Sequence, residues 1–337
     1  MTFNQENETE TKERDSDEEA LLEMLGLNSL EAFGEEIISN NDDSKDVFSI
    51  IQNSDLAHSY KENSICFFPK QLCVSASHIR SLTDELVWGG PKVKVDRSYE
   101  RIKFLKCGKI GERRSLTRLE NFVNYHDEWR ELCNGHLADC ISALYNERMV
   151  LFKEKLNVKP PGGSGFAPHL DTPSLRVSFG KDGPQNFVTV MVAIDNMTIS
   201  NGCLLVCKGQ WSEEKHCEII EPEENGNPDA GGRAGAIPEN SAQNLTFSDV
   251  KCQGGDIVVF NGWAPHRSSP NISPFPRRAV FLTYNPAREG DFHDRYYERM
   301  EMIRNEWREK VGLEGHSKQL SKDEKSELDA LATIPRI

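Results

Sequence analysis

The sequence predicts an α+β protein whose core is mainly β, a β-sandwich or β-barrel with flanking helices. Two observations carry this prediction. The first third of the chain places apolar residues at helical spacing, whereas the segments beyond residue 148 are short, apolar and evenly spaced, with glycine, proline and asparagine turns between them. The chain has 337 residues, which is enough to bury one sizeable core.

The predicted elements begin with a short strand and a helix. Ser64–Phe68 is an apolar run that predicts a strand, and the serine-rich segment after it starts a helix over Ala76–Leu86. Residues 115–148 predict two more helices. Strands then follow over Val150–Val158, Val177–Phe179, Phe187–Ile194, Gly202–Cys207, Ile257–Phe260 and Ala279–Tyr284.

Negative charge is concentrated at the N-terminus. The net charge is −14, and residues 1–45 hold fourteen acidic against three basic side chains, so the rest is close to neutral. We expect residues 1–45 to be an acidic extension, largely disordered with room for one short helix, residues 46–310 to be the folded domain, and residues 311–337 to be a charged tail. The extension offers a contact for a protein partner.

Composition excludes several classes of function. No excess of lysine and arginine exists to replace phosphate counterions, so a nucleic-acid binder is excluded. No run of eighteen apolar residues predicts a membrane span, and the polar N-terminus is unlike a signal peptide. Nine scattered cysteines without a CxxC pair are typical of reduced, buried thiols. We therefore expect a cytoplasmic protein that acts on a small molecule.

The composition of one long segment argues against a packed helix or strand. Residues 221–244 (EPEENGNPDAGGRAGAIPENSAQN) are rich in glycine, proline, asparagine and glutamate. A loop of this length within a compact domain is either a lid over an active site or a disordered insertion. The sequence leaves both alternatives open.

Three polar residues at predicted strand ends have the pattern of a metal site. His169 and Asp171 are separated by one residue, so in an extended segment their side chains share a face, and His266 follows a later strand. Two imidazoles and one carboxylate form the facial triad of non-haem Fe(II) oxygenases, which leaves positions open for a co-substrate and O2. Arg277, one strand further, is placed to pair with the far carboxylate of a 2-oxo acid.

The His-x-Asp pattern alone is weakly specific, since it arises by chance in roughly a quarter to a third of chains this long. His216-Cys217-Glu218 is a rival pair, but it lies beside the acidic loop without a preceding Pro-Gly turn. Polar residues that are satisfied locally at strand ends would produce the same spacing. The spacing therefore leaves a metal site and a purely structural role open.

Four ordered stretches resemble the phytanoyl-CoA dioxygenase family. They are EKLNVKPPGGSGFAPHLD, FVTVMVAIDNMTISNGCLLV, GDIVVFNGWAPHRSSPN and RRAVFLTYN, and the resemblance covers roughly residues 55–300. It implies a double-stranded β-helix (a jelly roll, cupin-like) and an Fe(II)- and 2-oxoglutarate-dependent oxygenase. The first and last stretches are most similar to members that act on small polar substrates, including aminoethylphosphonate hydroxylases.

The resemblance assigns roles to individual residues. His169, Asp171 and His266 match the metal ligands, and an intact Asp171 favours hydroxylation over halogenation, because halogenating members have a small residue there. The implied reaction hydroxylates a C–H bond of a small polar or anionic substrate, consumes O2, and converts 2-oxoglutarate to succinate and CO2.

The co-substrate contacts follow from the same resemblance. Arg277 matches the arginine that pairs with the C5 carboxylate of 2-oxoglutarate, while Ser268 and Asn157 match polar contacts. Arg278 leaves an ambiguity of one residue, although alternation sends only one of the two arginines inward. Leu170 departs from the family, which often has glutamine between the ligands, so the polarity of the pocket is open.

Two other interpretations of the function remain open. A non-catalytic relative would keep the fold as a binding or scaffold module, and a cupin-like metal isomerase would not require Arg277. The substrate cannot be read from the residues. Five cations could serve an anionic group or be solvated strand ends: Lys153, Lys155, Lys159, Arg176 and Lys181.

Overall fold

Two antiparallel β-sheets form the centre of the protein. The structure is a computed structural model that describes residues 47, 49–51, 54–88, 96–106, 109–219 and 234–310. The strands are β1 (Ile65–Phe67), β2 (Asp96–Lys106), β3 (Lys109–Glu120), β4 (Met149–Lys159), β5 (Phe166–His169), β6 (Val188–Ala193), β7 (Leu204–Cys207), β8 (Phe247–Val250), β9 (Ile257–Asn261), β10 (His266–Ser268) and β11 (Arg277–Pro286). The larger sheet has the order β1-β9-β6-β11-β4-β3-β2, and the smaller sheet has the order β5-β10-β7-β8.

Strands β4 to β11 form a double-stranded β-helix. Strands β4, β6, β9 and β11 enter the larger sheet, and β5, β7, β8 and β10 enter the smaller sheet, so the chain crosses repeatedly between the two. Hydrogen-bonded neighbours are consequently far apart in sequence: β11 pairs with both β4 and β6. This is the topology of a jelly roll, and the prediction of an α+β fold with a mainly β core is confirmed.

Burial on both faces explains why the sequence of β6 is apolar except at Thr189. Val188, Val190 and Val192 face the helices, in the core cluster that those helices share with the larger sheet. Met191 and Ala193 point the other way and pack against residues of the smaller sheet. A strand buried on both faces needs a nearly continuous apolar run, which the segment Phe187–Ile194 supplies with Thr189 as its one polar residue.

The part of the chain that the structure describes has eight α-helices with defined bounds, of which the first four share the hydrophobic core of the larger sheet and the last packs on β4. They are α1 (Leu56–Asn63), α2 (Ala76–Trp88), α3 (Asp127–Glu131), α4 (Leu137–Tyr145), α5 (Asp171–Arg176), α6 (Glu213–Ile219), α7 (Glu239–Ala242) and α8 (His293–Lys310), with a π-helical turn joining α3 to α4. Trp129 is fully buried and its indole N–H donates to the carbonyl of Leu82, which ties α3 to α2. Within the described residues, no helix is both long and apolar enough to cross a membrane.

Two predicted elements are wrong. Leu116 and Leu119 lie in β3, not in a helix, because β3 pairs along its length with β2 and at its end with β4. Val177–Phe179 is a turn after α5 and not a strand; Val177 is 58% exposed and has no partner strand. The other predicted strands, the helix over Ala76–Leu86 and the second helix of residues 115–148 are confirmed within a few residues.

Part of the predicted loop is packed. Residues 234–244 include α7, and Ile237 is buried against Leu170. Ala236 forms a β-bridge with His169, and the amide of Leu170 donates to the carbonyl of Gly235. Residues 221–233 lie outside the described residues, and so do the predicted extension 1–45 and the predicted tail 311–337. Just after the extension, Val47 and residues 49–51 are described and are helical.

Candidate functional site

The fold brings His169, Asp171 and His266 together at one end of the two sheets. His169 and His266 are direct partners across the β5–β10 ladder, and their ring centres are 4.1 Å apart. Asp171 begins helix α5 two residues later, and its Oδ1 lies 3.9 Å from Nε2 of His169 and 3.8 Å from Nε2 of His266. All three side chains are buried, and one ligand atom from each lies within 4.8 Å of the others.

The imidazoles are held in one tautomer. Nδ1 of His169 lies 2.7 Å from the carbonyl of Ala167, and Nδ1 of His266 lies 3.0 Å from the carbonyl of Ala264. A carbonyl only accepts, so each Nδ1 carries the proton and each Nε2 keeps a lone pair. Both lone pairs are then available to a metal ion, and the backbone contacts orient the rings as outer partners of a metal site do.

The carboxylate of Asp171 is oriented by its neighbours. Oγ1 of Thr189 donates to Oδ2 at 2.8 Å, and the amides of Asp171 and Thr172 donate to the carbonyl of Gly262. Burial raises the pKa of Asp171, but the charges of His266 and Lys155 outweigh it and hold that pKa well below its usual range. The group is therefore an anion at neutral pH, as a ligand of a divalent cation must be.

Arg277 and Arg278 point in opposite directions. Arg277 is 3% exposed, lines the cavity beside the histidines, and donates from NH2 to the carbonyl of Gly202. Arg278 donates from Nε and NH2 to Asp195 and also pairs with Asp84. The alternation of β11 thus leaves Arg277 as the inward arginine.

Lys159 is a second buried cation next to Arg277. Its Nζ donates to Oγ of Ser268 at 2.8 Å, to the carbonyl of Ser269 at 2.7 Å and to that of Gly202 at 3.3 Å. Burial, assisted by the charge of Arg277, lowers the pKa of Lys159 to about 7. Within the described residues, neither cation forms an ion pair with a carboxylate.

Ser268 is arranged to donate into the cavity. Its Oγ accepts from Nζ of Lys159 and from the amide of Phe166, so the lone pairs are used and the hydroxyl proton remains for another acceptor. Gly202, which supplies the carbonyl shared by the two cations, has φ +71°, and an added Cβ there would lie 2.2 Å from the carbonyl oxygen of Ser269. Only glycine fits this approach.

The residues present fit a metal ion with an anionic co-substrate. A cavity of about 510 Å³, open to solvent, is lined by the three ligand side chains together with Asn157, Ser268 and Arg277. Among the described residues, six buried side-chain polar atoms lack a hydrogen-bond partner, and two of them, Nε of Arg277 and Oδ1 of Asn157, belong to this lining. Unpartnered buried polar atoms are costly unless a ligand satisfies them.

Most of the other candidate residues lie outside the cavity. His216 lies on α6 and stacks on Trp263, so the structure does not bring it to the cavity. Lys153 contacts Tyr296, Arg176 pairs with Glu213, and Lys181 is exposed, whereas Lys155 lines the cavity. Leu170, where the family often has glutamine, packs on Ile237 and does not line the cavity. Its side chain therefore does not contribute to the polarity of the cavity.

Sequence reasoning missed Thr189, and it offered Lys159 only as one of five cations that could serve an anionic group. Thr189 is the inward-facing polar residue of a strand that is otherwise apolar, a pattern that could have singled it out. Lys159 ends β4 beside Pro160, where a solvated lysine is the ordinary expectation. Nothing local indicates that the turn after β10 folds over it.

The fold is a jelly roll, and its site brings two histidines and one carboxylate together in a cavity. Residues 108–279 match the sequence profile of phytanoyl-CoA dioxygenase (PhyH), which is half of the chain. The chain belongs to the phytanoyl-CoA dioxygenase family.

Two curated relatives have names that refer to phosphonates. The chain is 38% identical over 191 residues to the 2-aminoethylphosphonate dioxygenase of an uncultured bacterium (HF130_AEPn_1), covering 56% of this chain and 66% of that protein. It is 35% identical over 182 residues to the methylphosphonate hydroxylase of Gimesia maris, covering 53% and 62%. The chain thus spans slightly less than two thirds of the relatives it matches. Among solved structures, EctD from S. alaskensis in its apoform is 18% identical with a TM-score of 0.49, covering 69% of this chain and 76% of that one.

Proposed function

We propose that this protein is an Fe(II)- and 2-oxoglutarate-dependent dioxygenase. It hydroxylates a C–H bond of a small polar or anionic substrate and releases succinate and CO2. The observation that carries the proposal is the convergence, in one cavity, of three potential ligand atoms with a buried arginine that has no carboxylate partner among the described residues. Membership of the phytanoyl-CoA dioxygenase family and the names of the two relatives support it.

His169, Asp171 and His266 would hold the iron. Their Nε2, Oδ1 and Nε2 atoms face one another, and their other polar atoms are already engaged by Ala167, Thr189 and Ala264. Three protein ligands leave half of an octahedron open for the co-substrate and O2. The iron supplies the oxygen-activating chemistry, while the protein binds, orients and excludes water.

Arg277, Ser268 and Asn157 would hold 2-oxoglutarate. The guanidinium of Arg277 suits a planar carboxylate, and the free hydroxyl proton of Ser268 can donate to the same group. Lys159 orients Ser268 and adds a second positive charge at 2.8 Å from its oxygen. The carboxylate supplies the counter-charge that both buried cations lack among the described residues.

Two alternatives are less well supported. A scaffold would gain nothing from burying Arg277 and Lys159 side by side, since unpaired buried charges reduce stability. A metal isomerase would need the triad but not a cation pocket next to it.

The test is release of succinate from 2-oxoglutarate by the Fe(II)-loaded protein, screened against small phosphonates, amino acids and other polar molecules. We expect succinate formation that depends on iron and O2 and increases with one substrate class. Protein that binds iron yet forms no succinate with any candidate, and does not bind 2-oxoglutarate, would contradict the proposal.

A further inference from the structure

The charged lining of the metal cavity is strongly biased towards positive charge. Among the described residues, five charged side chains line it, and four are basic: Arg118, Lys155, Arg267 and Arg277. The single acid is Asp171. A divalent metal adds two positive charges and 2-oxoglutarate adds two negative ones, so occupancy by both leaves this excess unchanged.

Two of the cations lie on the side of the cavity formed by β3 and β4. Arg118 is the register partner of Asn157, and Glu120 is the partner of Lys155, so these side chains project from neighbouring rungs of the larger sheet. Lys155 lines the same cavity as His169, Asp171 and His266, so its side chain lies on the side of the proposed metal site. Arg118 lies one rung further along the sheet.

The neighbouring acid does not cancel this charge. Glu120 is buried, and Arg118 NH1 lies 3.8 Å from its Oε1, a loose ion pair. The same carboxylate also faces Lys153 at 3.7 Å and Arg304 at 3.9 Å. Counted over the described residues, one negative charge shared by several cations gives the wall near Arg118 and Lys155 a net positive charge.

Apolar side chains complete the cavity beside these cations. Phe166, Phe281 and Leu204 line it, and Nζ of Lys155 lies 5.5 Å from the centre of the Phe281 ring. The cavity therefore offers a cationic end on β3 and β4, an apolar wall and a metal centre. A short molecule with one anionic end fits this arrangement, with its carbon chain along the wall.

We propose that Arg118 and Lys155 form an anion subsite that binds the head group of a small organic dianion and holds its carbon atoms beside the metal. The inference rests on the proposed function for the identity of the reacting group, but the subsite itself binds in the absence of turnover. The excess of positive charge favours a doubly charged tetrahedral head, such as a phosphonate, over a singly charged one of the same shape.

The experiment measures binding by calorimetry to the protein loaded with Mn(II), with and without 2-oxoglutarate. The probes are ethylphosphonate, at a pH where it carries two charges, ethanesulfonate as a singly charged analogue of the same shape, and propionamide as a neutral one. We expect ethylphosphonate to bind at least tenfold more tightly than ethanesulfonate, and propionamide not to bind measurably.

The variants assign the subsite to its residues. Arg118→Gln and Lys155→Gln keep most of the side-chain length but remove the charge, and each should raise the Kd of ethylphosphonate about tenfold or more. Each should leave the Kd of 2-oxoglutarate within about twofold, and Arg118→Lys should restore part of the phosphonate affinity. Lys208→Gln, an exposed lysine outside the cavity lining, is the matched control and should change neither constant.

The outcomes separate this inference from the proposed function. Wild-type protein that binds 2-oxoglutarate but does not distinguish ethylphosphonate from ethanesulfonate overturns the subsite and leaves the dioxygenase standing. Variants that lose Mn(II) affinity but bind ethylphosphonate normally would show that the two cations serve the metal ligands, and would also overturn it. Phosphonate binding that depends on Arg118 and Lys155 without any binding of 2-oxoglutarate supports the subsite and contradicts the proposed function.

Discussion

Thr189 donates a hydrogen bond of 2.8 Å from Oγ1 to Oδ2 of Asp171, and this leaves Oδ1 as the carboxylate oxygen that faces both histidines. Thr189 lies on β6 of the larger sheet, whereas Asp171 begins α5 just after β5 of the smaller sheet. The contact therefore fixes the proposed metal ligand Asp171 from the opposite sheet. Its position on a doubly buried strand makes that support rigid.

The first prediction concerns this contact. Thr189→Val keeps the shape of the side chain but removes the donor, so Asp171 loses its orientation, and we expect Fe(II) affinity to fall by about ten- to a hundredfold. Metal titration of the apoprotein measures the effect. Thr83→Val is the matched control, because Thr83 is equally buried and donates only to the carbonyl of Ile79 within α2. Equal affinity in both variants would contradict the supporting role of Thr189.

The second prediction concerns Arg277. A paired, charge-assisted contact to a carboxylate in a mostly buried pocket contributes about 1.5–3 kcal/mol, or roughly ten- to a hundredfold in affinity. Arg277→Lys keeps the charge but loses the fork, so we expect the Kd of 2-oxoglutarate to rise, and Arg277→Ala to raise it further, while metal binding stays normal.

Arg278 supplies the control for that prediction. Arg278→Ala breaks the ion pairs with Asp195 and Asp84 and should lower the melting temperature without changing the Kd of 2-oxoglutarate. If Arg278→Ala weakened 2-oxoglutarate binding and Arg277→Ala did not, the co-substrate pocket would have to be reassigned by one residue.

The third prediction is a pH dependence that arises from Lys159. Its pKa is lowered to about 7, by burial first and then by the charge of Arg277, so it loses its proton near neutrality when the pocket is empty. A bound carboxylate favours the charged form of Lys159, so Lys159 should take up a proton when 2-oxoglutarate binds. The affinity for 2-oxoglutarate should therefore fall as the pH rises through about 7. The thiol of Cys203, the other titratable neighbour, has a raised pKa and stays neutral in this range.

Calorimetry with Mn(II)-loaded protein from about pH 6.5 to about pH 8.5 measures this coupling. We expect the Kd of 2-oxoglutarate to increase across the range in wild-type protein. In Lys159→Met it should be weaker at the lower end and nearly independent of pH. The same slope in both proteins would rule out Lys159 as the titrating group.

The fourth prediction concerns stability away from the site. Glu154 is fully buried on β4; its Oε1 accepts from the amides of Phe122 and Val123, and its Oε2 accepts from Tyr297 and His293. Burial lowers the pKa of His293, but the hydrogen bond and charge of Glu154 outweigh it and raise that pKa above the usual value. The stabilisation by His293 is therefore complete below about pH 6.5 and is lost as the pH rises through the folded-state pKa.

Urea unfolding of His293→Gln tests this sign. The loss in free energy of unfolding should be larger at about pH 6 than at about pH 9, by about 1–2 kcal/mol. Tyr297→Phe removes a hydrogen bond to the same carboxylate without removing a group that titrates in this range, because burial raises the pKa of Tyr297 well above 10.0. For Tyr297→Phe, the loss in free energy of unfolding should be the same at both pH values. A loss for His293→Gln that is larger at high pH would contradict the raised pKa of His293.

The sequence predicted what depends on local pattern. Doubly buried β6 has an apolar sequence interrupted only by Thr189, and α2 follows a serine-rich helix start, so both were found. The His-x-Asp pair was found because the alternation of an extended segment is a local rule. His266 and Arg277 were joined to it by their positions at predicted strand ends, and the family resemblance supported this grouping. Strand β3 was missed because its leucines have helix-like spacing, and only pairing with β2 and β4 makes it a strand.

Features that depend on distant pairing were not predictable in this way. Lys159 is buried because the turn after β10 supplies the carbonyl of Ser269 and a second turn supplies that of Gly202. Neither segment is adjacent to β4 in the chain. The same holds for the bond from Thr189 to Asp171, which joins two sheets.

The central claim is that one cavity holds ferrous iron on His169, Asp171 and His266 together with 2-oxoglutarate on Arg277. The most direct measurement is an oxygen-free titration of 2-oxoglutarate into the Fe(II)-loaded protein, followed by the visible charge-transfer absorption that a chelating 2-oxo acid produces with ferrous iron. We expect wild-type protein to develop this band and saturate at one equivalent, His169→Ala and His266→Ala to show none, and Arg277→Ala to require much more 2-oxoglutarate. Wild-type protein that binds Fe(II) but shows no band at any concentration of 2-oxoglutarate would contradict the claim.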